Sequence, residues 1–142
     1  MIPRVDNKAA GTHRIVVGVD GSDNANRAVE WAASQAARTG SVLEIHAAFG
    51  PAYVFLAPSE VEATIRSLVE NATKLARNDA PQLSIDCVTH QGSPVPALVE
   101  ASNGADLLVV GSRGLGGFRG LLLGSVSQQC VMHAECPVVV VH

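Results

Sequence analysis

Short apolar runs alternate along the whole chain with longer stretches in which apolar residues recur every three or four positions. The runs Ile15 to Val19, Val42 to Ala48, about Leu83 to Val88, Leu107 to Val110 and Val138 to Val141 read as strands. The last two hold only Leu and Val, as strands buried on both faces do. Helix one is expected to start near Ser22, to carry Ala25, Ala28, Val29, Ala32 and Ala36 on one stripe, and to stop at Gly40. Helix two opens with Ser59 and Glu62 at capping-box spacing and keeps Val61, Ile65, Leu68, Ala72, Leu75 and Ala76 on one face. Helix three is expected at Ser93, with Pro94 in its first turn. A fourth spans Val126 to Ala134, with Ser125 at or next to its N-cap. Strands and helices in strict alternation predict an α/β fold, a parallel sheet covered by helices on both faces.

A chain of 142 residues is the size of one domain. Hydrophobic residues make up 47% and charged residues 16%, which places it among globular proteins rather than disordered ones. The expected organisation is a flexible tail over residues 1–13 and one domain over 14–142. No apolar run reaches the roughly 18 residues of a membrane span, and Met1 to His13 lacks the apolar core of a secretory signal, so a cytoplasmic protein is expected. A formal net charge of −3 offers no broad basic face, so nucleic acid is not an expected partner. Cys87, Cys130 and Cys136 show neither Cys-x-x-Cys spacing nor a zinc-finger arrangement with histidine; Cys87 and Cys130 read as small core residues. Trp31 and the segment Tyr53-Val54-Phe55-Leu56 read as core or lid packing.

The chemistry concentrates after the fourth strand. Gly111 ends the apolar run, Gly114 follows, and Gly124-Ser125 arrives nine residues later, so that two backbone turns can face each other across a gap. Glycines let backbone N–H groups approach an anion closely, and a helix N-terminus beyond them favours a phosphate. Gly111, Ser112, Arg113, Gly114, Gly116 and Gly117 are expected to line one phosphate wall, with Gly124, Ser125 and Val126 as the other. Gly18, Val19 and Asp20 close the first strand at the level where ligands bind in open α/β sheets, and Asp20 suits a ribose or a magnesium ion. A P-loop needs a lysine after its last glycine, and the only lysines are Lys8 and Lys74. The turn after strand one fails the dinucleotide pattern, which disfavours NAD; the serine-hydrolase elbow and His-Glu-x-x-His are absent.

The spacing Gly111-x2-Gly114-x9-Gly124-Ser125 resembles the nucleotide-binding signature of the universal stress protein family, in its ATP-binding branch. Further parts of the resemblance are Val-Val-Gly-Val-Asp-Gly-Ser at 16–22, Gly-Ser-Pro at 92–94 and Cys-Pro-Val-Val-Val-Val at 136–141. It implies a doubly wound, Rossmann-like sheet in order 3-2-1-4-5 and an ATP site, possible magnesium included, with Asp20 at the nucleotide. It also implies adenine at the strand-two end, here Ala47, and ribose and phosphates on the glycine loop. The expected function is a nucleotide-dependent regulatory module with slow hydrolysis at most. A true ATPase or phosphotransferase, or a binder of AMP or cyclic AMP, stays open, because phosphoryl transfer demands more positioned charge than Asp20 and Arg113 supply. Val138 to Val141, at the sheet edge in that order, are expected to pair with a second copy.

Overall fold

The computed structural model describes residues 13–49, 55–114 and 123–142. Its elements follow in the order β1 (Arg14–Val19), α1 (Asp23–Thr39), β2 (Val42–Phe49), α2 (Pro58–Asn78), β3 (Ile85–Gln91), α3 (Pro94–Ser102), β4 (Leu107–Gly111), α4 (Ser125–His133) and β5 (Val138–Val141). The five strands form one sheet in the order β3-β2-β1-β4-β5, each neighbouring pair parallel. The expected tail, Met1 to Thr12, and the segment Gly50 to Val54 lie outside the described residues. His13 is tied to the sheet, its carbonyl accepting from the Val42 N–H at 2.8 Å.

Two apolar layers flank the sheet. On one side Ile15, Val17, Leu43, Ile45 and Val109 pack against Ala28, Val29, Ala32 and Ala36 of α1 and Ala72 and Ala76 of α2. Small α1 residues let that helix lie close to the strands. On the other side Val16, Leu108 and Val110 meet Leu98 of α3 and Cys130 of α4. Ser22 caps α1 by accepting the Ala25 N–H, and Gly40 ends it in the left-handed region at φ 68°.

Several local expectations are corrected. The start of α2 is Pro58, with Ala57 as N-cap; Glu60, not Glu62, reaches back to the Ala57 N–H at 2.8 Å. Pro58 suits the first helical position, where no N–H is needed, and so shifts the start one residue ahead of Ser59. Glu62 instead pairs with Arg66 one turn on. Strand β3 begins at Ile85 rather than Leu83 and runs to Gln91, because pairing with β2 through Phe49↔Gln91 carries it past the apolar run. Cys87, expected in the core, is exposed; Cys130 is buried and its thiol is pushed up to about 11 by desolvation. Trp31 is 37% exposed and Phe55 95% exposed, so neither is a core residue.

Beneath α3 runs a buried polar chain. Arg14, 7% exposed, donates through Nη1 to Glu44 Oε1 at 3.1 Å and to the Ala101 carbonyl, and through Nη2 to the Asn103 carbonyl, holding the C-terminal end of α3. Glu44 Oε1 also takes His46 Nε2 at 2.9 Å, and His46 Nδ1 meets His90 Nε2 at 2.8 Å, the rings 13° from parallel. An ionised carboxylate only accepts, so His46 carries its proton on Nε2 and, when neutral, accepts from His90 Nε2–H. The chain climbs from the base of β1 to the top of β3.

Candidate functional site

Strands β1 and β4 are neighbours whose following segments leave in different directions, β1 toward β2 and β4 toward β5, which makes their carboxyl ends the switch point where open α/β sheets form a ligand crevice. Three glycines set its geometry. A Cβ on Gly111 would stand 2.8 Å from the backbone of Asn24 and Ala25, so its absence lets the first turn of α1 settle on the end of β4. A Cβ on Gly114 would stand 2.5 Å from Asp20 Oδ2, so the carboxylate that closes β1 lies directly against the turn after β4. A Cβ on Gly124 would lie 3.3 Å from Arg113 Cα and 3.6 Å from the Gly114 nitrogen. Asp20 thus lies against Gly114, and Gly124 against Arg113 and Gly114, each approach made close by a missing side chain.

Asp20 is half-buried and accepts the Ser22 N–H through Oδ1 at 2.9 Å, a local turn that orients the other oxygen toward Gly114. Gly21 makes that turn possible at φ 87°. Arg113, Gly114 and Ser125 are exposed around the crevice, while Ser112 is 1% exposed beneath it. The N-cap of α4 is Gly124, with Ser125 next to it, and no side chain caps the helix, so Ser125 and Val126 form its first turn. Ser127 turns inward and donates to the carbonyls of Ser112 at 2.8 Å and Gly124 at 3.0 Å. Because the Gly124 N–H itself bonds to the Ser112 carbonyl at 2.5 Å, the two turns are clamped together by main chain.

The remaining residues of the predicted set occupy other roles or places. Leu98 of α3 fills the space beside Gly18, where a Cβ would lie 2.9 Å from its Cδ1. Val19 and Ala47 are 7% and 0% exposed, with side chains in the core on the α1 side, so only their main chain can face a ligand. Gly116 and Gly117 lie outside the described residues. Among the described residues no group of three His, Cys, Asp or Glu side chains could hold a metal ion. No helix among them is long and apolar enough to cross a membrane.

Two residues escaped the sequence reading. Asn24 of α1 is 8% exposed and donates through Nδ2 to Ser112 Oγ at 3.0 Å. Arg27, one turn on, bonds to Asn24 Oδ1 and donates through Nε to the His142 carbonyl at 2.9 Å. The signal was present: Asn24 precedes Ala28 by four positions, so it is a polar residue on the apolar stripe of the helix.

The pattern of the universal stress protein family matches residues 11–142. A universal stress protein of Thermus aquaticus is 38% identical over 133 residues, which span 89% of this chain and 96% of that protein. A universal stress protein of Mycobacterium bovis is 35% identical over 147 residues, covering 96% of this chain but 50% of its own length, so the chain spans about half of that relative. A solved universal stress protein in complex with cAMP is 36% identical, with a TM-score of 0.70 over 92% of this chain and 96% of that one.

Proposed function

The chain belongs to the universal stress protein family, and from that premise we propose that it binds ATP in the crevice above β1 and β4 and acts as a nucleotide-dependent regulatory module. The observation that carries this reading is the convergence of Asp20, Gly114 and Gly124, with approaches that an added side chain would crowd. Phosphates would lie between the turn at Ser112 to Gly114 and the first turn of α4, where Ser125 and Val126 present backbone N–H groups at the positive end of the helix. Arg113 supplies local positive charge. Adenine would extend toward the carboxyl end of β2, against the main chain at Ala47, with the ribose near Asp20.

Magnesium would reach this site with the phosphates. A single carboxylate with one oxygen engaged by Ser22 fits an ion held mainly by phosphate oxygens and water. Hydrolysis at such a site is slow at most, since among the described residues Asp20 and Arg113 are the charged groups at hand and phosphoryl transfer needs a positioned base together with dense positive charge. The unpaired thiols of Cys87, Cys130 and Cys136 support a reducing, cytoplasmic setting. A homodimer through β5 completes the reading.

Cyclic AMP is a second reading, favoured by the 36% identical structure that holds it. Mass spectrometry of ligand released from protein purified without added nucleotide, followed by thermal melts with ATP-magnesium, ADP, AMP and cyclic AMP, tests both. At ~100-fold excess over the dissociation constant a true ligand stabilises by about 2.7 kcal/mol, roughly 5–10 °C for a domain of this size. The nucleotide with the largest shift is the ligand; no shift with any of the four at millimolar concentration sinks the proposal.

A further inference from the structure

Ser112 is where the crevice is tied together, and every polar group of it is engaged. Its N–H donates to the Val141 carbonyl at 2.7 Å, joining the turn to the end of β5. Its carbonyl accepts both the Gly124 N–H at 2.5 Å and the Ser127 hydroxyl at 2.8 Å, joining it to the start of α4. Its own hydroxyl accepts from Asn24 Nδ2 at 3.0 Å, joining it to α1. Of these ties, the last is made by side chains alone.

The orientation of the Asn24 amide is determined by its other partner. A guanidinium only donates, so the Asn24 oxygen must face Arg27 and its NH2 group must face Ser112. Arg27 is in turn steadied by the His142 carbonyl. Asn24 is thus a buried amide with a fixed direction, one turn from Asp20 in sequence and packed against Gly111. Resting on the nucleotide reading above, we infer that Asn24 is a positioning residue: through Ser112 it sets where the clamped pair of glycine turns stands against the start of α1, and so governs the phosphate share of nucleotide affinity without touching the nucleotide. Groups that hold contacting atoms in place act on affinity as strongly as many direct contacts.

The test separates phosphate from base. Isothermal titration of wild type, Asn24→Leu, Ser112→Ala and the double variant is run with ATP-magnesium and with adenosine, which carries base and ribose alone. The expected result is a roughly tenfold loss of ATP affinity in each single variant, within the range of coupled contacts. Adenosine affinity stays within about twofold, and the double variant is no worse than Asn24→Leu alone. Equal losses for ATP and adenosine, unchanged ATP binding, or additive losses in the double variant would overturn the inference. Should Asn24→Leu fail to fold, Ser112→Ala decides alone, because it removes one oxygen and leaves the main-chain bonds in place. Wild-type protein that binds neither ligand refutes the nucleotide reading itself, an outcome distinct from all of these.

Discussion

A methyl group added at position 111 and one added at position 114 meet different neighbours, and the difference separates folding from binding. At Gly111 the obstacles at 2.8 Å are the backbone atoms Ala25 N and Asn24 C, which cannot move without lifting α1 off β4. At Gly114 the obstacle at 2.5 Å is the far end of the Asp20 side chain, which can swing aside. Gly111→Ala is therefore expected to cost about 1–3 kcal/mol of stability, the usual range for overpacking, read as a lower thermal midpoint. Gly114→Ala leaves the midpoint nearly unchanged but displaces the carboxylate and narrows the crevice, so nucleotide affinity falls in titration calorimetry. A Gly114→Ala variant that melts early yet binds normally would show that this glycine serves the fold. The spacing of these glycines was legible in the sequence because a missing side chain at a strand end is a chemical statement in itself. Asn24 was legible only as a polar residue on an apolar stripe; its role depends on Ser112, 88 positions away, which only folding brings within 3.0 Å.

Among the elements, β5 is the one left with an open side. Val138, Val139, Val140 and Val141 are all only partly buried, although β4 pairs with them throughout. Val139 and Val141 lean on the α1 layer, Val138 and Val140 on the α3 and α4 layer, so the strand is apolar on both faces and unpaired along its outer edge among the described residues. Such an edge favours a second copy laid antiparallel about a two-fold axis. Sedimentation velocity at micromolar concentration is expected to show a dimer, and Val139→Pro or Val141→Lys to give monomer. A monomeric wild type, or a dimer indifferent to both changes, would exclude β5 as the contact. Element identity was readable because β4 and β5 are apolar throughout, β1 is so beyond Arg14, and α1 keeps an apolar stripe from Ala25 to Ala36. Ends were less readable. Pro58 and the pairing of Gln91 with Phe49 set two of them, and the first is a choice between caps two residues apart while the second comes from a strand far along the chain.

At the scale of the whole molecule, stability couples to pH through the base of the sheet. Burial alone would raise the Asp106 carboxyl, but the Arg14 N–H at 2.7 Å and the neighbouring His13 outweigh it and hold the group below its ordinary value of 3.8. A lowered carboxylate adds stability above its unfolded value and loses that contribution as pH falls through the folded one. Asp106→Asn should therefore melt earlier than wild type at pH 6 to 7, with the gap closing below about pH 3.8. Because the side chain is 47% exposed, the gap should also shrink in high salt; a gap that is constant across pH would refute the charge as its source. The polar chain under α3 has a different consequence, one for assembly. Leu43, Ile45 and Ala47 face one layer of β2 while Glu44 and His46 face the other, so a slip of one residue against β1 exchanges the two sets. Glu44 would then enter a layer of alanines and valines without Arg14, and Arg14 would lose its carboxylate, at a cost of several kcal/mol for each uncompensated charge. The aligned sheet is thus the register in which Glu44 keeps Arg14 and His46, so the ion pair selects strand alignment as well as tying β1 to β2.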